Sequence, residues 1–277
     1  IDRYKEIKAR GGSRQEFLEM AAQIPGIYVP AFYDVSYKED GTIEAMTTNN
    51  PHAPQTVSKQ LVMDMSDTWY PEKPVVPYLR APQDRVVLEI MRGCIRGCRF
   101  CQAGMVSRPV RERSLEELKR LARTMLKSSG HEEISLSSLS SSDYTKLEGI
   151  VNFLLDEFDG KGVYVSLPSL RIVAFSLAVM SKVQDVKKSS LTFAPEAGSQ
   201  RLRNVINKGL TEENILNGSA EAFKGGWNRV KLYFMLGLPT ETVEDMQGIA
   251  ELSEKVAEVY YDTVPKEQRH GKVQVTA

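Results

Sequence analysis

From residue 85 to the end of this chain, short apolar segments alternate with amphipathic ones, and this alternation constrains the fold more than any other feature. The apolar segments are typical of buried strands, and the amphipathic segments repeat their apolar residues at helical spacing. Strands are predicted at 86–91, 133–137, 163–167, 190–194, 229–236 and 272–276. Helices are predicted at 114–127, 144–157, 171–183, 199–206, 211–224 and 242–260. Strands that alternate with helices pair in parallel, so we expect an α/β fold, a partial TIM-like (β/α)6 barrel over residues 85–277 that is open on one side.

Residues 1–84 differ in composition, because they contain eight of the thirteen prolines in the chain. One helix is predicted at 13–23, followed by extended pieces at 27–29 and 35–37 and a turn at 39–41. The aromatic residues in this part argue against a plain linker. We therefore expect an irregular, Pro-rich N-terminal extension that packs on the barrel.

The overall composition is that of an ordinary globular chain, with 42% apolar and 26% charged residues. The formal net charge of zero gives no indication of a general attraction to nucleic acid, although a local basic patch is compatible with it. No apolar run is long enough to span a bilayer, so no membrane partner is expected. The chain does not begin with methionine and ends at its last predicted strand, so we expect a natural protein that continues beyond this C-terminus.

All three cysteines lie in one short loop, as Cys94, Cys98 and Cys101. An odd number of clustered cysteines does not make a closed disulfide framework, so we expect reduced, metal-binding thiols in a cytoplasmic protein. The loop follows the first predicted strand, at the end where α/β barrels place their chemistry. Three thiolates can each hold one iron of a [4Fe–4S] cluster and leave the fourth iron open to an external ligand. Glycines at 93, 97 and 104 allow close wrapping, and arginines at 92, 96 and 99 can offset the negative charge of the cluster.

Two other functions are compatible with three clustered cysteines. A structural zinc site normally has a fourth protein ligand, which here would be a remote histidine among His52, His131 and His270. An electron-transfer iron–sulfur protein would normally supply a fourth cysteine to close the cluster. A brown protein with four irons, rather than a colourless one with one zinc, would separate these alternatives.

The cysteine segment resembles the signature of the radical S-adenosylmethionine (SAM) superfamily, CxxxCxφC, in which the aromatic position φ is Phe100. The resemblance implies a [4Fe–4S] cluster whose open iron binds the amino and carboxylate groups of SAM. It implies that one electron from the cluster cleaves SAM to methionine and a 5′-deoxyadenosyl radical, which abstracts hydrogen from a substrate. It also implies a reductant such as flavodoxin or ferredoxin.

Other strand ends resemble the SAM-binding motifs of this superfamily. The polar segment 136–143 stands where members have a glycine-rich contact to the SAM amino group, which makes Ser138 and Ser140 candidate ligands, although the usual glycine pair is missing. The segment 191–209 resembles a pattern in which Glu196 and Lys208 would face SAM, with Arg201 as a further candidate. The segment 236–242 resembles a turn that passes close to the adenine and would place Gly237 there.

Three further features of these segments have a bearing on the site. Tyr233 occupies the position where members often carry a ribose-binding acid. Ser169 and Arg171 follow the third predicted strand and would point to the open mouth of the barrel. The basic stretch 108–113 either contacts an anionic substrate or cofactor or forms a solvated turn.

Within the superfamily, the chain resembles members that carry a cobalamin-binding domain before the barrel, or the methylthiotransferases. No cobalamin motif of the form DxHxxG occurs in these residues, so any cobalamin would be bound by a domain not present in this chain. Methyl or methylthio transfer to an RNA, a peptide or a tetrapyrrole would fit the expected open barrel. The substrate itself does not follow from the fold.

Overall fold

The computed structural model describes residues 1–79, 81–166, 191–269 and 271–277. The chain divides into two compact units, residues 1–63 and residues 64–277. Residues 64–84, which the sequence analysis groups with the Pro-rich extension, thus belong to the second unit. In the described residues, no helix combines the length and the apolar character that a membrane crossing requires.

The first unit consists of two short helices and a hairpin. Its helices are α1 (Asp2–Ala9) and α2 (Arg14–Ala22), and its antiparallel strands are β1 (Tyr33–Tyr37) and β2 (Ile43–Thr48). The predicted helix at 13–23 and the predicted turn at 39–41 are both confirmed, whereas α1 was not predicted. Ser13 begins α2 by accepting a hydrogen bond from the backbone N–H of Glu16. A small core of Ala22, Val29 and Phe32 holds the unit together.

The second unit alternates strands with helices, as the sequence predicts. Its strands are β3 (Val86–Glu89), β4 (Met91–Arg92), β5 (Arg111–Glu112), β6 (Glu133–Ser137), β7 (Tyr164–Ser166), β8 (Leu191–Glu196), β9 (Arg229–Phe234) and β10 (Gln274–Thr276). Its helices are α3 (Gln102–Val106), α4 (Leu115–Ser129), α5 (Leu147–Glu157), α6 (Gln200–Val205), α7 (Glu212–Lys224) and α8 (Val243–Thr263). Short 3-10 turns lie at Pro30–Phe32 in the first unit and at Met65–Asp67, Ser141–Asp143 and Lys266–Gln268 in the second.

The second unit is built on two parallel sheets. One has the order β3-β6-β7 and the other the order β8-β9-β10, and every neighbouring pair within them is parallel. All six predicted strands are therefore confirmed within the described residues. The predicted helix at 171–183, and with it Ser169 and Arg171, lies outside the described residues. The architecture is an α/β, partial TIM-like (β/α)6 barrel.

Each sheet is covered by helices that bury an apolar face. In the first sheet, alternate strand residues such as Leu88 and Ile134 pack with Leu121 of α4 and Ile150 of α5. The core of the second sheet contains Phe193, Ile215, Val230, Leu232 and Val256. Burial of such side chains contributes about 1.5–3 kcal/mol each. The helices therefore cover the faces of the sheets, and the ends of the strands are left for functional residues.

Helix α4 shows how local sequence sets the bounds of an element. Ser114 caps its N-terminus by accepting a hydrogen bond from the N–H of Glu117, and Gly130 ends it with a φ of 71°. A positive φ at the end of a helix favours glycine, because it has no Cβ to clash with the backbone. The helix therefore returns the chain to β6 at a defined point.

A glycine also sets the distance between the start of α6 and helix α8. A Cβ on Gly198 would lie 2.3 Å from the backbone nitrogen of Ile249 and 2.5 Å from the carbonyl carbon of Gly248. Both are backbone atoms, so moving them to make room for a Cβ costs free energy. The segment that leads out of β8 thus rests directly on α8.

We expect Gly198→Ala to lower the free energy of unfolding by about 1–3 kcal/mol, because the added methyl group forces two backbones apart. The matched control is Gly149→Ala in α5, where the new Cβ would meet only the flexible side chain of Leu115, with Cδ2 at 3.3 Å and Cδ1 at 4.0 Å. That change should be neutral or stabilising by up to about 1 kcal/mol, because alanine favours helices. Urea unfolding of both variants checks this, and equal effects would contradict the close contact.

Candidate functional site

The cysteine loop occupies residues 93–110, between the two short strands β4 and β5, which pair in antiparallel fashion. Cys94, Cys98 and Cys101 are all free thiols, and Cys98 is the most buried of the three, with 9% of its surface exposed. The sulfur of Cys94 accepts a hydrogen bond from the N–H of Arg96 at 3.4 Å, and that of Cys101 accepts one from the N–H of Gly104 at 3.3 Å. These backbone donors stabilise negative charge on sulfur.

Gly93 closes the neck of this loop. Its φ is 95°, and a Cβ there would lie 2.7 Å from the carbonyl oxygen of Ser107 and 2.8 Å from that of Pro109. The incoming and outgoing chains can therefore approach only because this residue is glycine. The geometry of Gly93 agrees with the prediction that this glycine allows the loop to wrap closely.

Arg96 connects the cysteine loop to the polar segment after β6. Its guanidinium donates to both carboxylate oxygens of Asp143, from Nη2 at 2.6 Å and from Nε at 3.3 Å. The Asp143 side chain is only 6% exposed and accepts a further hydrogen bond from Ser140 Oγ at 2.7 Å. The bond to Asp143 is the main cause that raises the pKa of Arg96, and the charges of Cys94 and Cys98 raise it further. The guanidinium therefore lies in the field of both thiols.

The hydroxyl groups of Ser138 and Ser140 take part in this same segment. Ser138 Oγ lies 3.0 Å from Ser141 Oγ and accepts a hydrogen bond from the N–H of Ser140 at 3.2 Å. Ser140 is buried, and its hydroxyl donates to Asp143. Both serines thus shape the loop after β6, and their predicted contact with SAM stays a prediction.

The end of α6 holds the other side of the cysteine loop. The N–H of Arg99 donates to the carbonyl of Ile206 at 2.9 Å, and its guanidinium donates to the carbonyl of Val205. In return, Asn207 Nδ2 donates to the carbonyl of Gly97 at 2.8 Å. Asn207 has a φ of 53°, a conformation that asparagine tolerates better than most residues. The cysteine loop is therefore bound to two separate parts of the chain, the connection between β6 and α5 and the end of helix α6.

Next to this contact lies a mostly buried ion pair. Lys208 Nζ is 3.0 Å from Glu196 Oε1 and 5.7 Å from the centre of the Phe100 ring. Glu196 is the last residue of β8 and has a φ of 69°, which turns the chain away from the sheet. Three of the predicted cofactor ligands thus come together, Phe100 from the cysteine loop and Glu196 and Lys208 from the segment 191–209.

Arg201 and Gly237 lie in a neighbouring network. The Arg201 guanidinium pairs with Asp245 and donates to the carbonyl of Thr240 at 2.7 Å. Asp245 also accepts a hydrogen bond from Ser199 and, at 2.9 Å, from the N–H of Thr242 at the start of α8. Gly237 has a φ of 80°, and its N–H donates to Glu241 Oε2 at 2.6 Å. These bonds set the shape of the 236–242 turn, and the predicted cofactor contacts of Arg201 and Gly237 stay predictions.

Two of the three arginines of the basic stretch 108–113 are buried. Arg111 donates to the carbonyl of Pro109 at 3.2 Å. Arg113 is 1% exposed and donates to the carbonyl of Met65 at 2.8 Å and to Thr68 Oγ1 at 3.3 Å, and its guanidinium stacks 4.8 Å from the Tyr70 ring. These two arginines thus stabilise the fold and do not lie in a solvated turn, whereas Arg108 is exposed and its predicted contact with an anionic ligand stays a prediction.

Sequence reasoning missed Asp143, Asn207 and Asp245. Asp143 ends the serine segment, three residues after the candidate ligand Ser140. Asn207 directly precedes the candidate ligand Lys208. Their partners are 47, 110 and 44 residues away along the chain, for Asp143, Asn207 and Asp245 respectively. A single sequence carries no signal for such pairs.

The residues of the loop fit an iron–sulfur cluster. Three free thiols occupy one loop, two of them already accept backbone N–H groups, and an arginine lies in their field. In the part of the chain that the structure describes, no three His, Cys, Asp or Glu side chains converge on a point that could hold a single metal ion. A cluster binds each thiolate through a different iron, so it does not require such convergence.

Comparison with known proteins identifies a family for this arrangement. The profile described as the radical SAM superfamily matches residues 88–253. A protein of Methanocaldococcus jannaschii described as uncharacterised is 42% identical over 170 residues, which cover 61% of this chain and 37% of that protein. A protein of Pyrococcus horikoshii described as an uncharacterised methyltransferase is 24% identical over 260 residues, which cover 89% of this chain and 52% of that protein. The chain thus spans about a third to a half of these relatives.

Solved structures share the fold at low sequence identity. The cobalamin-dependent SAM radical enzyme OxsB, in its apo form, matches with a TM-score of 0.55 and 14% identity, over 88% of this chain and 38% of that one. The radical SAM methyltransferase TsrM from Kitasatospora setae matches with a TM-score of 0.53 and 12% identity, over 91% of this chain and 46% of that one. At this identity the likeness concerns the fold alone.

The pKa of Asp245 is held well below its ordinary value, first by the hydrogen bond from Arg201 and then by that from Ser199. A lowered pKa in the folded state contributes stability above about pH 4, the ordinary aspartate pKa, and this stability is lost as the pH falls toward the folded pKa. We therefore expect the stability difference between the wild type and Asp245→Asn to be larger at about pH 7 than at about pH 3.

Urea unfolding across this pH range measures the difference. The matched control is Asp262→Asn, which removes an exposed carboxylate from the same helix. A difference between wild type and Asp245→Asn that does not change with pH would contradict the ion pair.

Proposed function

We propose that this chain, which belongs to the radical SAM superfamily, cleaves SAM reductively at a [4Fe–4S] cluster held by Cys94, Cys98 and Cys101. One observation carries the proposal: the three free thiols lie on a loop fixed beside the Glu196–Lys208 pair and Phe100. The site thus combines soft ligands for iron with a charged pair suited to an amino acid ligand. The membership rests on the profile match over residues 88–253.

When bound, such a cluster supplies one electron to the sulfonium of SAM and an open iron for its methionine end. The role of the protein is to hold, orient and shield these groups. Cys94, Cys98 and Cys101 would supply three thiolates, and the N–H groups of Arg96 and Gly104 stabilise the charge of two of them.

Lys208 is the residue we assign to the carboxylate of SAM. Its ammonium group is a charged donor, and Glu196 is a charged acceptor at 3.0 Å from it. A ligand with a carboxylate and either an ammonium group or ribose hydroxyls can bind to both members of this pair at once. The Phe100 ring, whose centre is 5.7 Å from the Lys208 ammonium, would shield it from water.

Further residues would complete the binding site. Gly237 would allow close approach of the adenine, and Ser138, Ser140 and Arg201 would contact SAM or support the residues that do. Because their hydrogen bonds are satisfied within the protein, we assign them first to shaping the loops around SAM. A low-potential one-electron carrier such as flavodoxin or ferredoxin would supply the electron, in a reducing compartment that keeps the thiols free.

The transferred group is proposed from the names of the relatives. The Pyrococcus horikoshii protein is described as a methyltransferase, and the OxsB structure is that of a cobalamin-dependent enzyme. We therefore propose that the reaction is methyl or methylthio transfer and that the acceptor is an RNA, a peptide or a tetrapyrrole. Any cobalamin would be bound by a part of the protein outside these residues.

We expect each of Cys94→Ala, Cys98→Ala and Cys101→Ala to lose most of the four irons after anaerobic reconstitution, because two protein ligands no longer hold the cluster. Iron and sulfide analysis measures this. The matched control is Ile95→Ala, which removes an exposed side chain from the same loop and should keep the wild-type iron content. A full cluster in Cys98→Ala would contradict the ligand assignment.

We expect Lys208→Ala to weaken SAM binding about 10- to 100-fold while the iron content is kept, because a desolvated charged hydrogen bond is lost. Binding is followed by the change that SAM causes in the EPR spectrum of the reduced cluster. Lys224→Ala, on the exposed side of α7, is the control and should bind SAM normally.

Activity is tested with dithionite and SAM, which should yield 5′-deoxyadenosine and methionine. If a wild-type protein with four irons gave neither product and no spectral change with SAM, the proposed function would be wrong.

A further inference from the structure

Arg96 and Arg99 lie in the cysteine loop and Arg92 ends strand β4 directly before it, and the structure gives these three arginines different surroundings. Arg92 pairs with Glu89, which precedes the loop, at 2.6 Å. Arg99 directs its guanidinium to the backbone carbonyls at the end of α6. Arg96 differs from both, because its backbone N–H donates to Cys94 Sγ at 3.4 Å and its guanidinium is paired with a carboxylate that belongs to another strand end.

We propose that Arg96 and Asp143 form a charge pair that sets the reduction potential of the iron–sulfur cluster, Arg96 raising it and Asp143 moderating that effect. This inference rests on the proposed function, because it requires the cluster at the three cysteines. Both are positioning residues that act on the cluster through the electric field and need not touch SAM.

The physical reason is the charge that reduction adds. A cubane with three thiolate ligands gains one negative charge when it takes up an electron, so a nearby cation favours the reduced form and a nearby anion the oxidised form. The backbone of Arg96 is close to the iron site, because its N–H donates to Cys94 Sγ at 3.4 Å. A full charge close to the cluster in a partly buried site therefore has a strong effect.

The position of the pair is fixed from several sides. Asp143 lies in the 3-10 turn after β6, accepts a hydrogen bond from Ser140 Oγ and binds Arg96 through both oxygens. The carbonyl of Arg96 accepts a hydrogen bond from Arg108 Nη2 at 2.8 Å. A side chain held in this way keeps its charge at a constant distance from the thiolates, as a constant potential requires.

The test is a potentiometric EPR titration of reconstituted protein without SAM, in which the cluster takes one electron from dithionite. Arg96→Gln removes the cation and should shift the midpoint to more negative values. Asp143→Asn keeps the size of the side chain, removes the anion and should shift the midpoint to more positive values. At a fixed solution potential, the ratio of reduced to oxidised cluster should change about tenfold in each case, in opposite directions.

Two further variants separate charge from structure. Arg96→Lys keeps the charge but loses the two-pronged contact with Asp143, and its midpoint should stay closer to the wild type than that of Arg96→Gln. Arg92→Gln removes a cation directly before the loop whose partner is Glu89, and its shift should be much smaller.

Shifts of Arg96→Gln and Asp143→Asn in the same direction would overturn the proposal, because loosening of the loop moves both variants alike. Shifts no larger than that of Arg92→Gln would also overturn it. If Arg96→Gln fails to keep its cluster, the sign of the shift in Asp143→Asn decides. A wild type that holds four irons and cleaves SAM, with unchanged midpoints in the variants, refutes this inference alone, whereas a wild type without a cluster refutes the proposed function.

Discussion

The site depends on hydrogen bonds that reach the cysteine loop from elsewhere in the chain. Apart from the short helix α3, residues 93–110 lack regular structure, so the backbone of the loop cannot hold its own shape through a sheet ladder. Asp143 holds it on one side through Arg96, and Asn207 holds it on the other through the carbonyl of Gly97. Loops of this kind keep a defined geometry only where a rigid scaffold supplies the partners.

The two partners come from different sheets. Asp143 follows β6 of the first sheet. Asn207 follows α6, the helix that comes after β8 of the second sheet. The loop therefore bridges the carboxyl ends of both, next to the Glu196–Lys208 pair. In an α/β barrel this edge collects side chains from distant parts of the chain, which explains how Phe100, Glu196 and Lys208 come to lie together.

Much of this could be predicted from the sequence. The strands β3, β6, β8 and β9 follow from short apolar segments that alternate with amphipathic ones, and the thiols, Glu196 and Lys208 follow from motifs, whereas the ion pair between Glu196 and Lys208 was not predicted. Predictions failed where a side chain finds its partner far along the chain. Arg113 reads as part of an exposed basic run, and only the fold places it beside Met65 and Tyr70. Its neighbours in sequence gave no indication of that burial.

The burial of Arg113 has a consequence for how much of the chain the barrel needs. Two of its hydrogen-bond acceptors, the carbonyl of Met65 and the hydroxyl of Thr68, and the ring it stacks on, Tyr70, all precede residue 85. A shorter protein that started at the first strand would lack all three of these partners. Residues 65–70 are therefore structurally part of the barrel unit, although they precede its first strand.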